Sequence, residues 1–486
     1  MSRITGLFLI LLSALSMTAC RKVVPPSVIL IVTERMNSLD LNCAGSVDED
    51  ERGGFPVLCR EFIRFTHTYT PSLMAVPAMS SLLTGKYPIE HGVRHNGQVL
   101  TQTRLVSELA LQQGYRTAFF SGGAPVLRKS GLHRGFETFD DSLPTDGSDT
   151  YFKPFRKSLE HFKSWVKKEA GSDAYFVVFY APDLSYTDRV TQDQFGELRN
   201  RTFESQLEEF GDGLAELFKF LKDQKRWDST QIYFTSLNGR DVYSRGEEFL
   251  HLNLHSEMTQ VPLFIKPAQK KRDEPSVWKV DQNVSLVDVG ITIFDEFDAN
   301  IKSLLSGGLK KLSLAPVLVR PGPLSDGQRV LLTESGWGAQ WGFWNVRTAL
   351  IHDFDLLLWN RQPVLFNMLA DRLELTPQVI SLDSMPVKFR EAITLVQPLP
   401  WTIDRATRDF LRLEDALRGG NDDLLYKSVK EAQKNPVLWE KIKKSGIPNY
   451  LIYQSFARKD WSELAEISLR FGREDISIYA KVLSGG

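Results

Sequence analysis

The sequence predicts an α/β fold: a mostly parallel central sheet flanked by helices, then a smaller C-terminal antiparallel-sheet subdomain and a helical C-terminal extension. Three observations carry this prediction. Continuous β-branched and aromatic runs, suited to strands buried on both faces, alternate with helical patterns across residues 27–300. Across residues 301–395 the runs shorten and crowd together, as in an antiparallel unit. Across residues 400–486 one short helical segment follows another.

The first strand is SVILIVT at 27–33. YRTAFFSGG (115–123), AYFVVFYAP (174–182), TQIYFTSLNG (230–239) and VPLFIKP (261–267) resemble it. Helical patterns over 103–113, 154–168 and 202–224 lie between these runs, and strand followed by helix, repeated, is how crossover connections build a layered sheet. QRVLLTESG, WNVRTALIHDFDLLLWN and PVLFNML supply the antiparallel strands. In the extension, Gly419 and Gly420 are expected to close one helix, and Asp460 with Glu463 to open another as a capping box. No internal period stands out there, which favours a packed helical cap over a binding solenoid.

Lys and Arg total 59 against 60 Asp and Glu in 486 residues, a balance that argues against nucleic acid or a polybasic membrane contact as partner. Residues 1–20, MSRITGLFLILLSALSMTAC, carry one positive charge, an apolar run and small residues before Cys20. This is the pattern of an export signal. Its end resembles the lipobox of bacterial lipoproteins, which implies a lipid on Cys20 and a membrane partner through that anchor; a plain signal peptide with an incidental Cys is the alternative. The expected location is the bacterial cell envelope, at the outer membrane or the periplasmic face, because Arg21 and Lys22 offer no acidic inner-membrane retention signal. Residues 21–26 would hold the body within roughly 20 Å of the bilayer. Cys43 and Cys59 then remain as an even pair, either a disulfide closing a short loop or two buried thiols.

Several segments, in order, resemble the sulfatase branch of the alkaline-phosphatase superfamily. They are VILIVTERMNSLDLNCAG, EFIRFTHTYTPSLMAVPAMSSLLTGKYPIEHGVRHNG, LALQQGYRTAFFSGG with GLHRGFETFDD, STQIYFTSLNG, VSLVDVGITIFDEF and LFNMLADRLEL. The resemblance implies a sulfuric-ester or phosphoric-ester hydrolase with a divalent cation, a metal-bound nucleophile, and His or cationic side chains at the pocket.

The residues at those positions depart from the pattern. Glu34 stands where the family strand ends in Asp, with Arg35 beside it. The turn that should carry a Cys, Ser or Thr nucleophile reads Ala75-Val76-Pro77-Ala78-Met79; Ser72 and Ser80 lie nearby but off the nucleophile position. The second ligand strand ends Ser236-Leu237-Asn238-Gly239, so Leu237 replaces a carboxylate. Glu34 and Asn238 are left as a degenerate metal set, expected to hold no ion. Lys86, His91 and His255 are pocket candidates by their place in the pattern. His251 and His255, four apart, would share a helical face and invite a zinc reading, although no HExxH accompanies them. Asp183 reads as a solvated loop residue.

The expectation is a catalytically inactive sulfatase-like envelope lipoprotein with a binding or scaffolding role, no cofactor, and an anionic ligand or a protein as further partner. The alternative is an active Ca²⁺- or Mg²⁺-dependent hydrolase or transferase that recruits compensating carboxylates such as Asp40, Asp241 or Glu257.

Overall fold

The computed structural model describes residues 25–484 apart from 42, 44–52, 144–151, 187–188, 193–197, 241–253, 269–277, 298–299, 307, 325–328, 337–345, 360–361, 398–405, 407–408, 411–412, 414–415, 417–421, 444 and 446. The leader with Cys20, Asp241, His251 and the Gly419-Gly420 helix end therefore lie outside the described residues.

Fifteen strands are described. In chain order they are β1 (Ser27–Thr33), β2 (Ile63–Tyr69), β3 (Arg116–Ser121), β4 (Thr138–Asp140), β5 (Tyr175–Ala181), β6 (Arg189–Gln192), β7 (Leu198–Arg201), β8 (Thr230–Ser236), β9 (Gln260–Lys266), β10 (Lys279–Ser285), β11 (Leu331–Ser335), β12 (Arg347–His352), β13 (Asp355–Trp359), β14 (Val364–Asn367) and β15 (Gln378–Val379). The main sheet runs β10-β2-β9-β8-β1-β5-β3-β4. At its centre β1 pairs in parallel with both β5 and β8, and every β1 residue is buried, as the unbroken apolar run requires. β9 is the exception, running antiparallel to both β8 and β2.

Two layers cover this sheet. On one face lie helices Ala75–Thr84, Val106–Gln112 and Leu286–Glu296. Gly290 brings two of them together: a Cβ there would come within 2.6 Å of the Leu82 carbonyl oxygen, so only glycine permits this crossing. On the other face, helices Phe55–Glu61, Phe155–Trp165 and Phe203–Asp223 pack an aromatic core in which Phe155 meets Phe210 at 5.1 Å between ring centres. Thr202 caps the last of these helices, accepting from the Ser205 amide at 3.1 Å. Cys43 and Cys59 form a disulfide at the edge of this layer.

The second sheet is antiparallel, in the order β11-β12-β13-β14-β15. It is stitched to the body through the turn after β2: the Glu334 amide donates to the Pro71 carbonyl and the Leu73 amide to the Glu334 carbonyl, both at 3.0 Å. Beyond it come helices Asp422–Ala432, Pro436–Lys443, Ile447–Ala457, Trp461–Arg470 and Glu474–Leu483. Asp460 caps one of them by accepting from the Glu463 amide at 2.9 Å. The capping box is only half formed, because the Glu463 carboxylate is held by Ser455 and Arg458 instead of turning back to Asp460. Among the described residues no helix is long and apolar enough to cross a membrane.

Candidate functional site

Ala75 opens helix Ala75–Thr84, with Met74 extended before it and Gly85 in the left-handed conformation after it. Exposed helix N-termini attract anions because their first amides lack partners. Here the amides on either side of Ala75 are engaged. The Val76 amide donates to Asn96 Oδ1 at 3.0 Å, and the Met74 amide to Ser72 Oγ at 3.2 Å. Ala75 itself is 3% exposed, and Met79 and Ser80 are wholly buried. Ser72 is thus a backbone brace and Ser80 a core residue.

Met74 belongs to the same buried apolar cluster as Phe410, Leu413, Leu425 and Val429. The residue just before the nucleophile position is therefore part of the core of the helical extension, which sits over the turn.

Glu34 lies at the end of β1, where Ser185 Oγ donates to it at 2.7 Å. Burial pushes its carboxyl above the usual range, opposed by Ser185, Tyr180 and the Arg35 charge. Asn238 acts as a strut: Oδ1 accepts from the Arg35 amide at 2.7 Å while Nδ2 donates to the Leu73 carbonyl at 2.9 Å. Leu237 is fully buried in the core, and its carbonyl accepts from Thr70 Oγ1 at 2.6 Å. A hard divalent cation asks for six or more oxygens, several of them carboxylate. Glu34 supplies one carboxylate, already hydrogen bonded, and both polar atoms of Asn238 are engaged. Among the described residues no three His, Cys, Asp or Glu side chains gather as a metal set. The donor set of the described residues does not fit Ca²⁺ or Mg²⁺.

The direction of the Glu34 shift gives a test. A carboxyl raised in the folded state stabilises the fold at low pH and loses that contribution as pH climbs above the ordinary glutamate value of 4.5. Glu34→Gln is expected to melt no lower than the parent near neutral pH, with any gain vanishing near pH 4. A metal ligand would behave oppositely, with Gln lowering the neutral-pH melting point.

The pocket candidates do not converge on Ala75. Lys86 follows Gly85, past the far end of a ten-residue helix, which puts about 15 Å of rise between it and Ala75. His91 is buried against the middle of that helix, with Nε2 3.0 Å from Ser81 Oγ and Nδ1 accepting from the Val93 amide at 3.1 Å. Burial lowers its pKa to about 3, so it stays neutral. His255 Nδ1 pairs with Glu374 Oε2 at 2.5 Å, and Glu374 also accepts from the Ser256 amide at 3.1 Å.

His251 lies outside the described residues, and His255 is the N-cap of the four-residue helix Ser256–Thr259. One sequence expectation is corrected. Asp183 is not solvated; at 3% exposure its Oδ1 accepts from the Phe155 amide at 2.9 Å, serving a helix start nearly thirty residues upstream. Burial raises its pKa to about 7, opposed by the Phe155 bond and reinforced by Glu209. Of the compensating acids, Asp40 is paired with Arg240 at 2.7 Å and braces the Asn37 amide at 2.7 Å. Glu257 is buried, and its backbone carbonyl accepts from Asn37 Nδ2.

Sequence reasoning missed the charged pair beside this turn. Glu334, with a fully buried side chain, takes two bonds from the Arg94 guanidinium, Nε at 3.0 Å, on β11, the strand that is stitched to the turn after β2. Burial raises its pKa and Arg94 opposes the shift. The only sequence signal was an acid inside the apolar run VLLTES.

Comparison with known proteins bears on the family and the fold. The Sulfatase family model matches residues 26–299. An arylsulfatase of Hemicentrotus pulcherrimus is 29% identical over 125 residues, 25% of this chain and 22% of that protein. An ulvan-active sulfatase of Formosa agariphila is 30% identical over 96 residues, 20% of this chain and 19% of that protein. The aligned stretch thus spans about a fifth of each relative. Among solved structures, a phosphonate monoester hydrolase of Agrobacterium radiobacter superposes with a TM-score of 0.55 at 15% identity, covering 76% of this chain and 95% of that one. An alkaline-phosphatase-superfamily protein from Vibrio parahaemolyticus gives 0.53 at 14%, covering 77% and 86%. At such identities these superpositions show the shared fold.

Proposed function

The chain belongs to the sulfatase family, and from that premise we propose that it is a catalytically inactive member, an envelope lipoprotein whose role is to bind or to scaffold. One observation carries the reading: the turn that should present a nucleophile offers the methyl of Ala75, with the adjoining amides tied to Asn96 and Ser72 and Met74 built into the tail core. Nucleophile and metal act as a coupled unit in such chemistry, so a single surviving carboxylate recovers little of it. The Cys43–Cys59 disulfide fits an oxidising compartment, in keeping with export and a lipid on Cys20. The partners proposed are the membrane through that lipid, together with an anionic ligand or a protein.

The test has two arms. The purified body from residue 21 onward, given aryl sulfate and aryl phosphate with Ca²⁺ or Mg²⁺, is expected to show no turnover above the uncatalysed rate. Turnover that Glu34→Ala abolishes would revive the alternative of a metal-dependent hydrolase. In cells, labelled palmitate should enter the parent and not Cys20→Ala; equal labelling would remove the anchor from this reading.

A further inference from the structure

A cavity of about 650 Å³ lies between β2, which lines it with Arg64, Thr66, His67 and Tyr69, and two connections of the second sheet: the β12–β13 turn at Phe354 and the loop after β14. Both Thr66 and His67 line it. Consecutive residues of a regular strand face opposite ways. The register of β2 shifts between Phe65 and Thr68 against β9, and β10 shifts against β2 between Val280 and Asn283. Such a bulge re-aims side chains, and bulges recur next to binding sites.

The walls are anchored. Asn283 Nδ2 donates to the Asp353 carbonyl and the Met368 amide to the Phe354 carbonyl, both at 2.7 Å, while the Phe354 ring meets His67 edge-on at 5.9 Å. Glu374, through His255 and the Ser256 amide, ties down the loop that follows. His255 thereby helps to position Ser256 at the edge of this cavity.

Two guanidiniums line the same space: Arg64 from β2 and Arg372 from the loop after β14. Neither makes an ion pair with another described residue, and the one acid of the lining is the buried Glu257. Arginine forks match planar oxyanions, and Phe354 with Met368 and Leu369 offers an apolar wall for a ring. We infer that this cavity binds a small organic anion, a carboxylate or phosphate head held by Arg64 and Arg372 with a ring-sized body against Phe354. This deepens the binding role proposed above and rests on it.

Calorimetric titration of the purified chain with benzoate, glucuronate and glucose 6-phosphate, against benzyl alcohol and glucose as neutral controls, tests the assignment. At least one anion should bind saturably where its neutral counterpart does not, and which one binds identifies the head and the body. Arg64→Gln and Arg372→Gln should each weaken that binding about tenfold or more, the scale of one charge-assisted hydrogen bond. Arg372 is exposed, so its variant keeps the fold and isolates the contact. Three anions binding no better than the neutral compounds, or both variants binding like the parent, overturns the inference. Ester turnover with anion binding intact would overturn only the inactive reading, and inactivity without anion binding only this one.

Discussion

Met74→Asp is expected to release the helical extension from the body. Met74 is 5% exposed and shares its cluster with Phe410, Leu425 and Ile467, all of them apolar and buried. An unpaired charge placed there costs about 3–5 kcal/mol, comparable with the margin that holds a whole domain folded. Because the two parts have separate cores, the loss falls on their junction. Hydrogen exchange should show protection lost across residues 406–470 and retained in β1 and β5, whereas Met74→Leu, similar in volume, should cost less than about 1.5 kcal/mol. Unchanged protection of the tail in Met74→Asp would mean that the extension is held elsewhere and does not close over the turn.

Leu237→Asp, which restores the family carboxylate, is expected to destabilise the protein and not to repair it. The residue is fully buried in the main core, and its neighbour Asn238 is already committed to Arg35 and Leu73. A carboxylate there stays protonated or disrupts packing, at a cost of about 3–5 kcal/mol. Melting curves with and without millimolar Ca²⁺ decide the matter. Equal losses in both follow from the geometry described; recovery by Ca²⁺, above all alongside Ala75→Ser turnover, would mean that a second ligand shell survives and that the donor set has been misjudged.

Both expectations turn on what replaced the lost groups, and here sequence and structure differ in reach. The losses were legible one residue at a time, because a methyl at Ala75 and an isobutyl at Leu237 are chemically inert wherever they lie. The replacements were not. Asn96 reaches Val76 from 20 positions away, and Arg94 reaches Glu334 from 240. Asp183 was misread for the same reason: the helix end it serves is remote in sequence, so nothing local marks it as buried. The antiparallel sense of β9 escaped as well, since a run such as VPLFIK carries no record of its direction.

The order of strands and helices along the chain, the change to an antiparallel unit after residue 300 and the alanine at the family's nucleophile position are properties of residue type and local period, so they were present in the sequence alone. The closing of the turn by Met74, the engaged amides of Met74 and Val76, the strut at Asn238 and the cavity along β2 arose only on folding. They depend on side chains meeting across long stretches of chain, and such meetings are set by packing and hydrogen-bond satisfaction in three dimensions.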